Sequence, residues 1–144
     1  MSGLVLKLAA GERFVVNGAL LENGDKPSTI RVVDDDARIL RCRDAMKPDE
    51  VDSPAKRVYY AIQLIITGDL KEDDVLPAIL EECTRLEEVF ETIDRKLMNV
   101  LKSMLGRGNF YSALCHLRGI IAIEAELLKV AHTKASYTAE ARVA

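Results

Sequence analysis

The chain is 144 residues long, 49% hydrophobic and 5% aromatic, with no Trp and a formal net charge of −3. This length fits one domain with an aliphatic core, and the charge excludes a protein that attracts nucleic acid by bulk charge alone. The charge is unevenly spread: residues 1–47 hold eight Lys and Arg against seven Asp and Glu, and the remainder holds twelve against sixteen.

Residues 1–47 read as a β-rich N-terminal unit. Leu4, Leu6 and Leu8 alternate with Val5 and Lys7, and Gly11 breaks the run. Arg13–Val16 and Ala19–Glu22 flank Asn17-Gly18, a strong two-residue hairpin signal. Asn23-Gly24-Asp25 makes a second turn and Pro27 keeps the link extended. Thr29–Val33 is rich in β-branched residues, Asp34-Asp35-Asp36 is an acidic turn, and Arg38–Cys42 closes the set. The expectation is a small antiparallel sheet of about five short strands. Alternation places Lys7, Arg31, Arg41 and Arg43 outward, with Arg13 beside them, as one basic surface. Nearby acids allow the plainer reading, an ordinary mixed-charge sheet face.

Residues 48–132 read as a helical unit. Ser53-Pro54 is a helix start, with Ser at the N-cap and Pro at the first position, and Gly68 is its stop. Tyr59 and Tyr60 cannot share a face, so one belongs at the core edge and one in water. A seam then runs Ile79, Cys83, Leu86, Phe90, Ile93, Leu97, Val100, Met104, in unbroken alternating steps of four and three. It predicts one long helix, with Pro77 in its first turn, ending at Gly106-Arg107-Gly108. Leu80, Val89 and Leu101 widen the stripe and are expected to stay exposed for a partner. Asn109 caps a third helix to about His132, whose stripe runs Phe110, Leu114, Leu117, Ile121, Glu124, Leu128 and Ala131. The fold class is therefore α+β: the sheet, then three helices, the last two a long antiparallel hairpin. Residues 133–144 lack periodicity and read as a flexible tail.

Catalytic signatures are absent from the sequence. His116 and His132 have no partner at a motif spacing, no phosphate-binding glycine loop occurs, and paired acids such as Glu81-Glu82 sit on a wet helix face. No cofactor and no metal site are expected, and Glu124 reads as a register residue. Three cysteines, Cys42, Cys83 and Cys115, argue against a disulfide framework. Lys7, Glu12 and Arg13 interrupt the early apolar run, and no run reaches membrane-spanning length, so the expectation is a cytoplasmic protein with no membrane partner. One further charge pattern stands out. From Arg95 to Ile123 there is no acid, while Lys102, Arg107 and Arg118 surround Tyr111. This hairpin tip is a secondary candidate for RNA, set against simple complementation of a helix C-terminus.

The strings LVLKLAAGERFVVNGALLENGD, RILRCRDAM and SPAKRVYYAIQLIITGD, in this order, resemble the flagellum biosynthesis regulator FlbT family over nearly the whole chain. The resemblance implies a post-transcriptional repressor of flagellin synthesis. Proteins of that family associate with the 5′ untranslated region of flagellin messenger RNA and promote its decay, with the flagellar protein FlaF as a functional partner. The N-terminal part is also similar in layout to the carbon storage regulator CsrA, a small β-rich RNA-binding dimer. Arg43 stands where that family's last strand has its RNA-binding arginine, whereas Leu8 and Ala9 replace basic residues of its first strand. The alternative is a helical adaptor or flagellin-export chaperone without direct RNA contact. In either case a homodimer is expected, and decay would be executed by a recruited ribonuclease.

Overall fold

In the computed structural model the chain forms five strands and then, among the described residues, four α-helices. Those residues are 4–34, 36–89 and 95–143, with their side chains except at 89 and 131–143. Strands precede helices, as the α+β expectation has it. The strands are β1 (Leu4–Leu8), β2 (Arg13–Val16), β3 (Ala19–Glu22), β4 (Ser28–Val32) and β5 (Ile39–Arg41). They divide into two antiparallel sheets, β1-β4 and β3-β2-β5. The Asn17-Gly18 hairpin forms, with Val16 opposite Ala19. Asn17 at φ 50° and Gly18 at φ 83° give the two left-handed residues that a type I′ turn requires. The next link leads β4 away from β3. Asn23 holds it there: its amide donates to the carbonyls of Ala9 (2.8 Å) and Lys26 (3.0 Å), and its oxygen accepts from Ser28 Oγ (2.7 Å).

The stacking of these layers decides the burial of β5. Ile39 joins Leu6, Leu8 and Phe14 in a small core between the sheets. Leu40, pointing the other way, joins the large helical core. All three residues of β5 are buried. A strand covered on both faces has no solvent side, whatever its residues alternate.

The helices are α1 (Pro54–Thr67), α2 (Glu72–Val89), α3 (Arg95–Gly106) and α4 (Phe110–Val143). The start and stop of α1 are those the sequence signals: Ser53 Oγ accepts from Lys56 N, and Gly68 adopts φ 87°. Tyr59 is buried and Tyr60 half-buried. The expected single helix over 79–104 is instead two. Lys102 Nζ lies 2.7 Å from Glu87 Oε2, whereas fifteen residues of one straight helix would separate them by roughly 22 Å. Folding back lets Cys83 and Leu86 of α2 and Met98, Leu101 and Leu105 of α3 reach one core. Leu101 is accordingly 0% exposed, not a docking position, and Leu80 is partly buried. Phe90 and Ile93 of the seam, like the Val89 side chain, lie outside the described residues. Helix α2 begins earlier than expected, and Pro77 sits inside it rather than in its first turn. Glu72, Asp73 and Asp74 favour that start through the helix dipole.

The backbone of α4 stays helical to Val143, past the end expected near His132 and through the stretch read as a tail. Ala135, Ala139 and Ala141 favour this by propensity. The His132 and Ala131 side chains lie outside the described set. Among the described residues no helix is long and apolar enough to cross a membrane.

Candidate functional site

Arg41 lies where the two sheets meet. It shares the face of Ile39, which looks into the space beneath β1, so its guanidinium must find partners there. The Tyr111 hydroxyl lies against it, and three bonds tie it to the N-terminal unit. Nε donates to Glu12 Oε2 (2.6 Å), Nη2 to Glu12 Oε1 (2.7 Å), and Nη2 again to the Lys7 carbonyl (2.6 Å). The Arg41 and Glu12 side chains are 9% and 7% exposed. Hydrogen bonds from Arg41 hold the Glu12 carboxyl at about 2, against the desolvation that would raise it. The same pairing raises Arg41 further above its ordinary range. The expectation that Arg41 faces solvent beside Arg43 is thus corrected: β5 is covered on both faces, and Arg41 is an internal clamp. Glu12 carries half of this clamp, and no local sequence signal marks it, because its partner is 29 residues away.

Lys7 and Arg31 do share an exposed face. In the β1–β4 register Lys7 opposes Thr29 and Val5 opposes Arg31, so the two cations are diagonal neighbours, roughly 7–8 Å apart and somewhat less at Cβ. Val5, 49% exposed, lies beside both on the same face, opposite Arg31 and two residues before Lys7. Neither cation forms an ion pair among the described residues. Arg43 is not on a strand. It sits in the 3-10 turn Cys42–Asp44, its side chain 60% exposed and 4.0 Å from Glu12 Oε1. Glu12 and Arg41 therefore link Arg43 to Lys7 in one row. Arg13 points elsewhere and pairs with Glu22 at 2.9 Å.

The second candidate set is not brought together. Lys102 faces Glu87 on α2, and Arg118 pairs with Asp44 at 3.1 Å. Tyr111 packs against the core between the sheets, and burial pushes its phenol upward. Arg107 alone of this set is exposed without an ion pair among the described residues.

Two buried or half-buried polar groups hold the frame. Arg38 donates to the Ile65 carbonyl (3.3 Å) and Glu72 (2.7 Å), with its guanidinium 5.4 Å from the Phe110 ring centre. It ties the turn before β5 to α1, α2 and α4. Glu124, 1% exposed, accepts from Ser53 Oγ and from Ala55 N (2.9 Å). The carboxylate expected to be a register residue caps the start of α1 from across the core, where the helix dipole favours it. His116 bridges helices by donating Nε2–H to the Leu97 carbonyl (2.6 Å). Cys83, fully buried, has its thiol pushed up to about 11 by desolvation. Among the described residues no group of three His, Cys, Asp or Glu side chains is placed to hold a metal.

The chain matches the family model "Flagellar protein FlbT" over residues 4–128. It is 31% identical over 130 residues to the "Flagellum biosynthesis repressor protein FlbT" of Caulobacter vibrioides, covering 87% of this chain and 89% of that one. It is 32% identical over 128 residues to a "Probable flagellum biosynthesis repressor protein FlbT" of Rhodopseudomonas palustris, covering 87% and 97%. No solved structure matches the chain. With both the family model and relatives above 30% identity spanning most of its length, the chain belongs to the FlbT family of flagellar proteins.

Proposed function

We propose that this protein represses flagellin synthesis in the cytoplasm by associating with the 5′ untranslated region of flagellin messenger RNA and promoting its decay. The repressor role rests on the names its relatives carry. The observation that favours RNA is the outer face of β1–β4. Lys7 and Arg31 stand there uncompensated by any described acid, beside an exposed Val5, and Arg43 is exposed on the adjoining turn. Cations on a sheet face suit the phosphates of an unpaired strand. Decay falls to a recruited ribonuclease, and FlaF acts with the protein as its functional partner. The test is titration of a flagellin leader transcript over a range of salt. Lys7→Ala with Arg31→Ala flattens the salt slope by about 1.4, at about 0.7 per lost single-strand phosphate contact. Unchanged binding by that double variant removes the face from the reading.

The reading includes a homodimer joined along β3. All four residues of β3 are exposed, Leu20 at 61% and Leu21 at 43%. Its outer edge holds neither Lys nor Pro to guard against pairing.

The adaptor reading has its own observation, a groove of about 280 Å³ between α1 and α2 whose apolar floor of Val58, Ala61, Leu70, Val75 and Ile79 is edged by Arg57 and Glu82. Binding there would depend on salt far less than phosphate contact does, which separates it from RNA binding.

A further inference from the structure

We infer that Arg41 is the positioning residue of the RNA-contacting surface, setting the distance between Lys7 on one sheet and Arg43 beside the other. The inference rests on the RNA reading above. Lys7 belongs to β1 and Arg43 follows β5, and these strands lie in different sheets with no ladder between them. The backbone joins them only indirectly, through the link at residues 9–12 and the β2–β5 ladder, so a direct tie between the two sheets falls to side chains. Arg41 makes that tie with one fork. Nη2 holds the Lys7 carbonyl at 2.6 Å and also one Glu12 oxygen at 2.7 Å, while Nε holds the other Glu12 oxygen. Glu12 Oε1 in turn faces Arg43 Nη1 at 4.0 Å. Glu12 is itself fixed, since Oε1 accepts from Ala9 N at 3.0 Å. The planar guanidinium serves three acceptors at once with fixed angles, which an ammonium cannot do. The buried charge pair thus governs where two exposed charges stand, without touching the RNA.

A contact residue and a positioning residue differ in salt dependence. Removing a phosphate contact flattens the slope, whereas misplacing contacts that remain lowers affinity at the same slope. Four proteins are compared with a labelled flagellin leader transcript, each checked for folding by circular dichroism. Lys7→Ala with Arg43→Ala defines the contact behaviour: weaker binding and a slope flatter by about 1.4. Arg41→Lys keeps the charge but loses the fork, and weakens binding by about fivefold at the wild-type slope. Glu12→Asp keeps every charge and shortens the carboxylate arm, giving the same pattern, and it decides the matter if Arg41→Lys fails to fold. Wild-type affinity in the folded clamp variants overturns the inference. A slope flattened by about 0.7 in Arg41→Lys also overturns it, because Arg41 would then touch a phosphate itself. If instead the Lys7 and Arg43 double variant binds like wild type, the RNA surface is misassigned and the positioning role falls with it.

Discussion

The two outer strands of the three-stranded sheet flank the same partner, β2, and end in opposite situations. Every residue of β5 is buried, including Arg41, and every residue of β3 is exposed, including two leucines. Residue type does not separate them. Position does: β5 lies between the helical core and the β1–β4 sheet, and β3 lies beyond the reach of both. The pair teaches that in a small layered unit a strand's neighbours set burial, and a charged residue caught between layers must bring its own counter-charge. Arg41 has Glu12 for that purpose.

Breaking the buried strand tests the comparison most directly. Arg41→Ala leaves the Glu12 carboxylate with only Ala9 N and the exposed Arg43, and costs about 3 kcal/mol in urea denaturation, the low end for a broken buried pair. A cost below about 1 kcal/mol would mean the pair behaves as a surface bridge. Next in size is a matched truncation on the two strands. Leu40→Ala loses about 3 kcal/mol, whereas Leu20→Ala stays within about 0.5 kcal/mol. Equal losses at the two sites would erase the contrast.

Acid titration sharpens the same point with a smaller effect. The folded Glu12 carboxyl is lowered from 4.5 to about 2. Its contribution is therefore fully present above pH ~4.5 and is lost as the pH falls toward about 2. Unfolding midpoints of wild type and Glu12→Gln, measured from pH 6 down to pH 2.5, should converge as acid is added. Parallel curves would show that Glu12 is not held down by Arg41. The smallest effect on the fold itself belongs to Leu20→Glu. It leaves the single chain folded but removes pairing along β3, so sedimentation at high concentration should move from two-chain to one-chain mass. A wild-type protein sedimenting at 16.0 kDa under those conditions discards the β3 dimer.

Local signals in the sequence were legible and non-local ones were not. The Asn17-Gly18 hairpin and both ends of α1 follow from residues within a few positions of each other, and they stand where expected. The outward face of Lys7 and Arg31 follows from alternation on a sheet with one open side. Arg41 obeys the same alternation, yet its outward side is roofed by β1, which no nearby residue announces. Arg43 leaves the pattern because the chain turns into a 3-10 helix after Arg41. The unbroken seam over 79–104 misled for a related reason. A stripe looks identical along one straight helix and along two helices that fold back onto a shared core. The contact between Lys102 and Glu87, and the core that Leu86 shares with Leu101, separate the cases.

The cap on α1 carries a consequence for the order of events on the ribosome. Glu124 stands 71 residues after Ser53 and 69 after Ala55, yet it supplies the acceptor for both. Translation delivers α1 long before it delivers that carboxylate. Until α4 has emerged, the first turn of α1 has only Ser53 Oγ and water to satisfy its free N–H groups. The helix written earliest is thus sealed by the one written last. A chain truncated before residue 124 therefore lacks the acceptor that Ala55 N and Ser53 Oγ use in the folded protein.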